Sequence, residues 1–111
     1  MTRTVQFGEL KAEMLKIGFE TPRGESDTYL EGVFVKAQLP DFLKKLEELF
    51  GPALWPSDQK IPPAIDKVIK EFGGIMGKQT LFGGEVNGRV VFVMLWPWND
   101  GVHITLKAGE K

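Results

Sequence analysis

Apolar residues at helical spacing stand out most clearly between residues 39 and 50. Leu39, Phe42, Leu43, Leu46, Leu49 and Phe50 form one stripe. This predicts a helix over about Pro40–Phe50. Pro40 suits the first turn, Asp41 faces the positive end of the dipole, and Gly51-Pro52 stops the run. The other face, Lys44, Lys45, Glu47 and Glu48, mixes signs and reads as solvated. A second stripe, Ile65, Val68, Ile69 and Phe72, predicts a helix over Pro63–Phe72, with Asp66 and Lys70 as a favourable i,i+4 pair and Gly73 as the stop. A weaker stripe of Phe7, Leu10, Met14 and Ile17 predicts a helix over Gly8–Ile17 ending at Gly18, preceded by a short extended piece at Thr4–Phe7. The loop between the second and third helices carries Leu54 and Trp55, which are expected to fold back onto the helices.

Elsewhere the period is two. Tyr29–Ala37 reads as a strand with Val33, Phe34 and Val35, after a loop at Thr21–Asp27 containing Pro22 and Gly24. Asn87-Gly88 between Glu85-Val86 and Arg89-Val90 is a type I′ hairpin signal. It sets Val86 opposite Arg89, Gly84 opposite Val91, Gly83 opposite Phe92 and Phe82 opposite Val93. The strand Val90–Trp96 is apolar at every position, as expected of a central strand covered on both faces. A turn at Pro97–Gly101 leads into Val102–Lys107, where Val102, Ile104 and Leu106 alternate with His103, Thr105 and Lys107. Five loop residues would pair Trp96 with Val102, placing Val90, Phe92, Met94, Trp96 and Leu81 on the face of Ile104. Four would pair Trp96 with Gly101, placing Val91, Val93, Leu95, Phe82 and Val86 there. The fold class is α+β: one domain over residues 1–111, with an antiparallel sheet made of a C-terminal three-strand meander plus one earlier strand, packed by three short helices. Helices on one face would leave a second apolar row to hide, which predicts a homodimer with Trp98 at or near its border.

Composition narrows the chemistry. The chain has 111 residues, 14 Lys plus Arg against 15 Asp plus Glu, one His and no Cys. The net charge is −1, and neither half departs from balance: residues 1–60 hold eight basic and ten acidic side chains, residues 61–111 six and five. A broad grip on nucleic-acid phosphate is therefore disfavoured. Without Cys there is no disulfide framework, thiolate nucleophile or Cys-ligated metal. No apolar run approaches the roughly 20 residues of a membrane span, and the N-terminus lacks a signal-peptide pattern. A cytoplasmic protein without metal or cofactor is expected.

Few motifs point to chemistry. The run Gly73-Gly74-Ile75-Met76-Gly77-Lys78-Gln79-Thr80 superficially resembles a phosphate loop, but Gln79 separates the Lys from the Thr, and the segment leaves a helix to enter a strand rather than the reverse. His103 has the pKa range of a general base, yet a catalytic role also needs a partner and a cleft. Glu25, Asp27 and Glu31 have no metal-loop or glycosidase spacing. The segment Leu95-Trp96-Pro97-Trp98-Asn99-Asp100-Gly101 is the most suggestive, because two Trp flanking a Pro at a hairpin end can serve as recognition anchors or stacking platforms. The candidate binding residues are Trp55, Trp96, Trp98, Asp100 and His103; no catalytic or metal-ligating residue is assigned.

The C-terminal part resembles the N-terminal domain of TfoX-type competence regulators. A helix, then Leu81-Phe82-Gly83-Gly84, the turn Gly88, the strand Val91-Phe92-Val93 and the closing Thr105-Leu106-Lys107 match its pattern over Ile69–Ala108. Gln79 and Thr80 stand where the family has basic residues, and Gly84 to Gly88 is shorter than usual. The resemblance implies a small α+β regulatory or interaction domain without catalysis. The leading expectation is thus an interaction module that self-associates through its sheet, a possible protein partner included. The alternatives are a small-molecule-binding or enzymatic domain with a pocket from Trp55, Trp98, Asp100 and His103, and a nucleic-acid-linked regulator implied by the resemblance alone.

Overall fold

The three apolar stripes fold as helices in a computed structural model that describes residues 6–57, 60–75, 77–86 and 88–111. Helix α1 (Phe7–Ile17) buries Phe7, Leu10 and Met14 and stops at Gly18, φ 92°. Helix α2 (Leu39–Phe50) buries Phe42, Leu46 and Leu49. It ends at Gly51, whose φ of 83° favours glycine and whose N–H donates to the Glu47 carbonyl at 2.8 Å. Helix α3 (Pro63–Lys70) buries Ile65 and Ile69. It is shorter than the predicted Pro63–Phe72, because the Glu71 and Phe72 amides bond three residues back, to Val68 and Ile69, and so tighten the last turn. Of the predicted extended piece, Thr4 and Val5 lie outside the described residues, Gln6 is extended and Phe7 already opens α1.

The sheet has five antiparallel strands in the order β1-β2-β5-β4-β3. They are β1 (Thr21–Glu25), β2 (Tyr29–Val35), β3 (Thr80–Val86), β4 (Arg89–Pro97) and β5 (His103–Glu110). With its three helices this is the expected α+β fold, including the meander β3–β4–β5. The β3–β4 register is the one the Asn-Gly pair predicts: Val86 opposes Arg89, Gly84 Val91, Gly83 Phe92 and Phe82 Val93. Gly88 has φ 80°, while Asn87 and the side chain of Val86 lie outside the described residues. The segment Thr21–Asp27, predicted as loop, instead supplies the edge strand β1. All five of its residues are exposed and its register slips between Pro22 and Gly24, so it has neither alternation nor apolar content to announce a strand. Proline is tolerated there because an edge strand has one unpaired side.

Neither predicted length of the second turn is observed. Trp96 pairs with Thr105 and Pro97 with Ile104, and Trp98 N–H still donates to the His103 carbonyl at 2.8 Å. The hairpin therefore runs on through Trp98. Successive pairs in an antiparallel ladder alternate between bonded and non-bonded, so Pro97 falls in a non-bonded pair and its missing N–H interrupts nothing. The side-chain parity is that of the four-residue alternative. Phe82, Val91, Val93 and Leu95 share a face with Ile104, Leu106 and Ala108, and pack with Leu30 and Phe34 beneath α1 and α2.

The other apolar row is covered by the chain itself. Leu81, Val90, Phe92 and Met94 are buried with Ile65 and Ile69 of α3, and Leu54, Trp55, Ile61 and Phe72 pack around them. The helices thus lie on both faces of the sheet. Leu54 and Trp55 fold onto the outer edge of β3, not only onto helices: Leu54 N–H donates to the Leu81 carbonyl at 2.7 Å, and Leu81 N–H to the Trp55 carbonyl at 3.0 Å. The apolar row invoked for a homodimer is therefore not exposed, and Val91 and Val93, being buried, offer no interface. Among the described residues no helix is long and apolar enough to cross a membrane.

Candidate functional site at the β4–β5 hairpin

Three of the five candidate residues converge where β4 turns into β5. Asp100 organises the turn. Its Oδ1 accepts the backbone N–H groups of Val102 and His103, at 2.8 and 3.0 Å, and its Oδ2 lies 2.6 Å from His103 Nδ1. This is the side-chain-to-backbone closure for which Asp is favoured in turns. The other ring nitrogen, Nε2, lies 3.2 Å from Oε1 of Glu20, in the connector between α1 and β1. Trp98 is held from two sides: its Nε1–H donates to Thr105 Oγ1 at 2.8 Å, and its ring sits 4.9 Å from the imidazole, tilted by 35°. Even so, Trp98 remains 40% exposed. Strand alternation explains the grouping, since Trp98, His103 and Thr105 all project from the α3 side of the sheet.

Trp55 and Trp96 lie elsewhere. Trp55 is on the outer edge of β3, bridged to Leu81, with its Nε1–H donating to the Gly77 carbonyl at 3.3 Å. Leu81 pairs with Met94, which is four residues before Trp98, roughly 13 Å along the strand. A pocket combining Trp55 with Trp98, Asp100 and His103 does not form. Trp96 shares the face of Trp98 but is packed inward: Gly73 comes close enough that a Cβ there would meet its ring at 2.9 Å, and Lys107 Nζ stands 3.8 Å from its ring centroid. Its buried Nε1 has no hydrogen-bond partner among the described residues. A surface groove of about 380 Å³ beside β1, lined by Leu15, Phe19, Pro22, Arg23 and Leu30 among others, includes none of the five candidates. The residues that sequence reasoning missed are Glu20 and, as a partner of Trp98, Thr105. Glu20 is 83 positions from His103 and carries no local signal; Thr105 was legible only as a neighbour of His103 on a polar strand face.

The electrostatics follow from these contacts. Asp100 is pulled down from 3.8 to about 2, chiefly by the His103 backbone N–H, then by the His103 side chain and the Val102 N–H. His103 is raised above its ordinary value of 6.5, first by its bond to Asp100 and, more weakly, by Glu20, against a desolvation that opposes charge. Each ring nitrogen faces a carboxylate, so neither is open to a substrate while both contacts last. The two carboxylates bracket the ring from opposite nitrogens rather than converge on one point, and among the described residues no group of three or more His, Asp or Glu is arranged to hold a metal ion.

A depressed carboxylate contributes stability that is present above its unfolded value and lost as pH falls through its folded one. The Asp100 contribution is accordingly complete above 3.8 and lost towards about 2. Asp100→Asn is expected to remove this part of the acid dependence, read as a flatter stability-against-pH curve below pH 3.8 in urea titrations; an unchanged curve would contradict the role given to Asp100.

Comparison with protein-family models, with curated proteins and with solved structures yields no match.

Proposed function

We propose that this chain is a small interaction domain of the cytoplasm that docks through the Trp98 hairpin, with a second copy of the same chain as its partner. The observation that carries the reading is the state of Trp98, a large ring 40% exposed to solvent yet fixed by a hydrogen bond and by the tilted imidazole against it. An aromatic anchor held in place before binding loses little conformational freedom on association, which is how Trp comes to dominate interface energetics. Val102, 48% exposed, stands in the same turn but on the opposite side of the strand from His103. A regulatory task is part of this proposal and rests on the likeness to TfoX-type regulators alone.

Sedimentation equilibrium at tens of micromolar tests the reading. The expected result is a dimer that Trp98→Ala weakens by about 30-fold or more, the scale of a hot-spot truncation near 2 kcal/mol. A monomeric mass for the unaltered chain would overturn it. The small-molecule alternative keeps Trp98, Asp100 and His103 and loses Trp55; it predicts a monomer whose tryptophan fluorescence responds to planar or sugar ligands and loses that response in Trp98→Ala.

A further inference from the structure

His103 is the chain's one histidine, and it joins two segments distant in sequence. An imidazolium has two N–H donors, a neutral imidazole one. The double contact with Asp100 and Glu20 therefore requires the protonated ring. We infer that the protonation state of His103 latches the β4–β5 hairpin to the α1–β1 connector, the neutral ring keeping Asp100 and releasing Glu20.

The geometry decides which partner is released. Asp100 is fixed by two backbone N–H donors in addition to the ring, and its contact is the shorter, 2.6 Å against 3.2 Å. Glu20 has about half of its side chain exposed and can turn to water. Once Nε2 is a bare lone pair, the carboxylate opposite it is repelled rather than held. Among the described residues, the charged groups that bear on His103 are Asp100 and Glu20. The strand residue across from His103 is Val35, Lys107 is engaged over Trp96, and the remaining side of the ring rests on Trp98. The raised pKa gives the sign: the latch is complete below 6.5 and is lost as pH rises through the higher folded value. Gly18 and Phe19 do not leave with Glu20, because the Gln38 Nε2–H donates to the Gly18 carbonyl and Phe19 stacks on Phe42. The motion is confined to Glu20 and the start of β1.

Nuclear magnetic resonance titration of the full chain, without a histidine tag, tests the latch. The His103 ring protons and the Glu20 carboxyl carbon are followed from pH 5 to 9 in the unaltered chain, in Glu20→Ala and in Asp100→Asn. The expected result is a Glu20 carboxyl signal that inflects with the His103 ring, and a His103 titration that moves to lower pH in Glu20→Ala and further in Asp100→Asn. A Glu20 signal indifferent to His103, or a His103 titration unmoved by Glu20→Ala, overturns the latch. So does an inflection at the Asp100 carboxyl in place of Glu20, since the ring would then release the other partner. All the altered side chains are on the surface, and the rest of the spectrum reports that the fold is kept.

Discussion

Phe92→Ala is expected to remove a large part of the stability of this domain. Phe92 is fully buried in the middle of β4, beneath α3. Its ring lies 4.9 Å from that of Phe72, which stacks at 5.7 Å on Tyr29, so one side chain ties α3 to the sheet and reaches across to β2. Gly109 lies against the same ring, where a Cβ would come within 2.9 Å of Phe92 Cζ. Truncating a buried Phe costs about 3–5 kcal/mol, against a total of about 5–15 kcal/mol for a typical domain. Urea denaturation followed by circular dichroism should show the midpoint falling accordingly at unchanged slope. Phe92→Leu, which keeps most of the volume, should lose much less. A loss below about 1 kcal/mol for the alanine variant would mean that the α3 layer collapses onto the gap, and would contradict the packing described.

Gly32→Ala should also be costly, for the opposite reason. A Cβ at Gly32 would lie 2.5 to 2.7 Å from three atoms of the Phe19 ring. That ring cannot simply swing aside, because it stacks on Phe42 at 5.7 Å, and Phe42 stacks in turn on Phe34 at 4.0 Å. Overpacking of this kind costs about 1–3 kcal/mol. The double variant Gly32→Ala with Phe19→Ala should be more stable than the sum of the two single losses allows, since the clash disappears with the ring. Strict additivity in denaturation midpoints would show that Phe19 does not occupy the space over Gly32.

What was legible in the sequence follows from which signals are local. The stripes of α1 and α2 and the Asn-Gly pair each specify structure within a dozen residues, and the two helices and the β3–β4 register are found where expected. The all-apolar strand Val90–Trp96 correctly announced cover on both faces. What supplies that cover is non-local: the stripe of α3 shows that it buries one side, but nothing in it says which side of the sheet, whose strands lie both before and after it in sequence. Self-association through that apolar row was the expectation in its place, and α3 covers the row, so any pairing of two chains must use another surface. The strand β1 was missed because a bulged, exposed edge strand and a loop share one composition. At the hairpin, Trp98, Asp100 and His103 were readable as turn and strand residues, and the Asp–Ser–Gly–Asn logic of turns makes the Asp100 bonds intelligible afterwards. Glu20 was beyond reach, because only the closed sheet brings the α1–β1 connector to the hairpin.

The position of β5 has a consequence for how the chain acquires its structure. β5 follows every other strand in sequence yet lies between β2 and β4, with Tyr29 opposite Gly109 and Val35 opposite His103. β5 is joined to β4 as a local hairpin, whereas it meets β2 only across the whole intervening chain, and isolated two-stranded ribbons are marginal in water. The closure joins segments dozens of residues apart, so its entropic cost is met before the central contacts form. The β2–β5 pairing is therefore the non-local step of sheet assembly, and substitutions along Ile104, Leu106 and Ala108 are expected to change the folding rate as well as the equilibrium, which φ-value measurements would read.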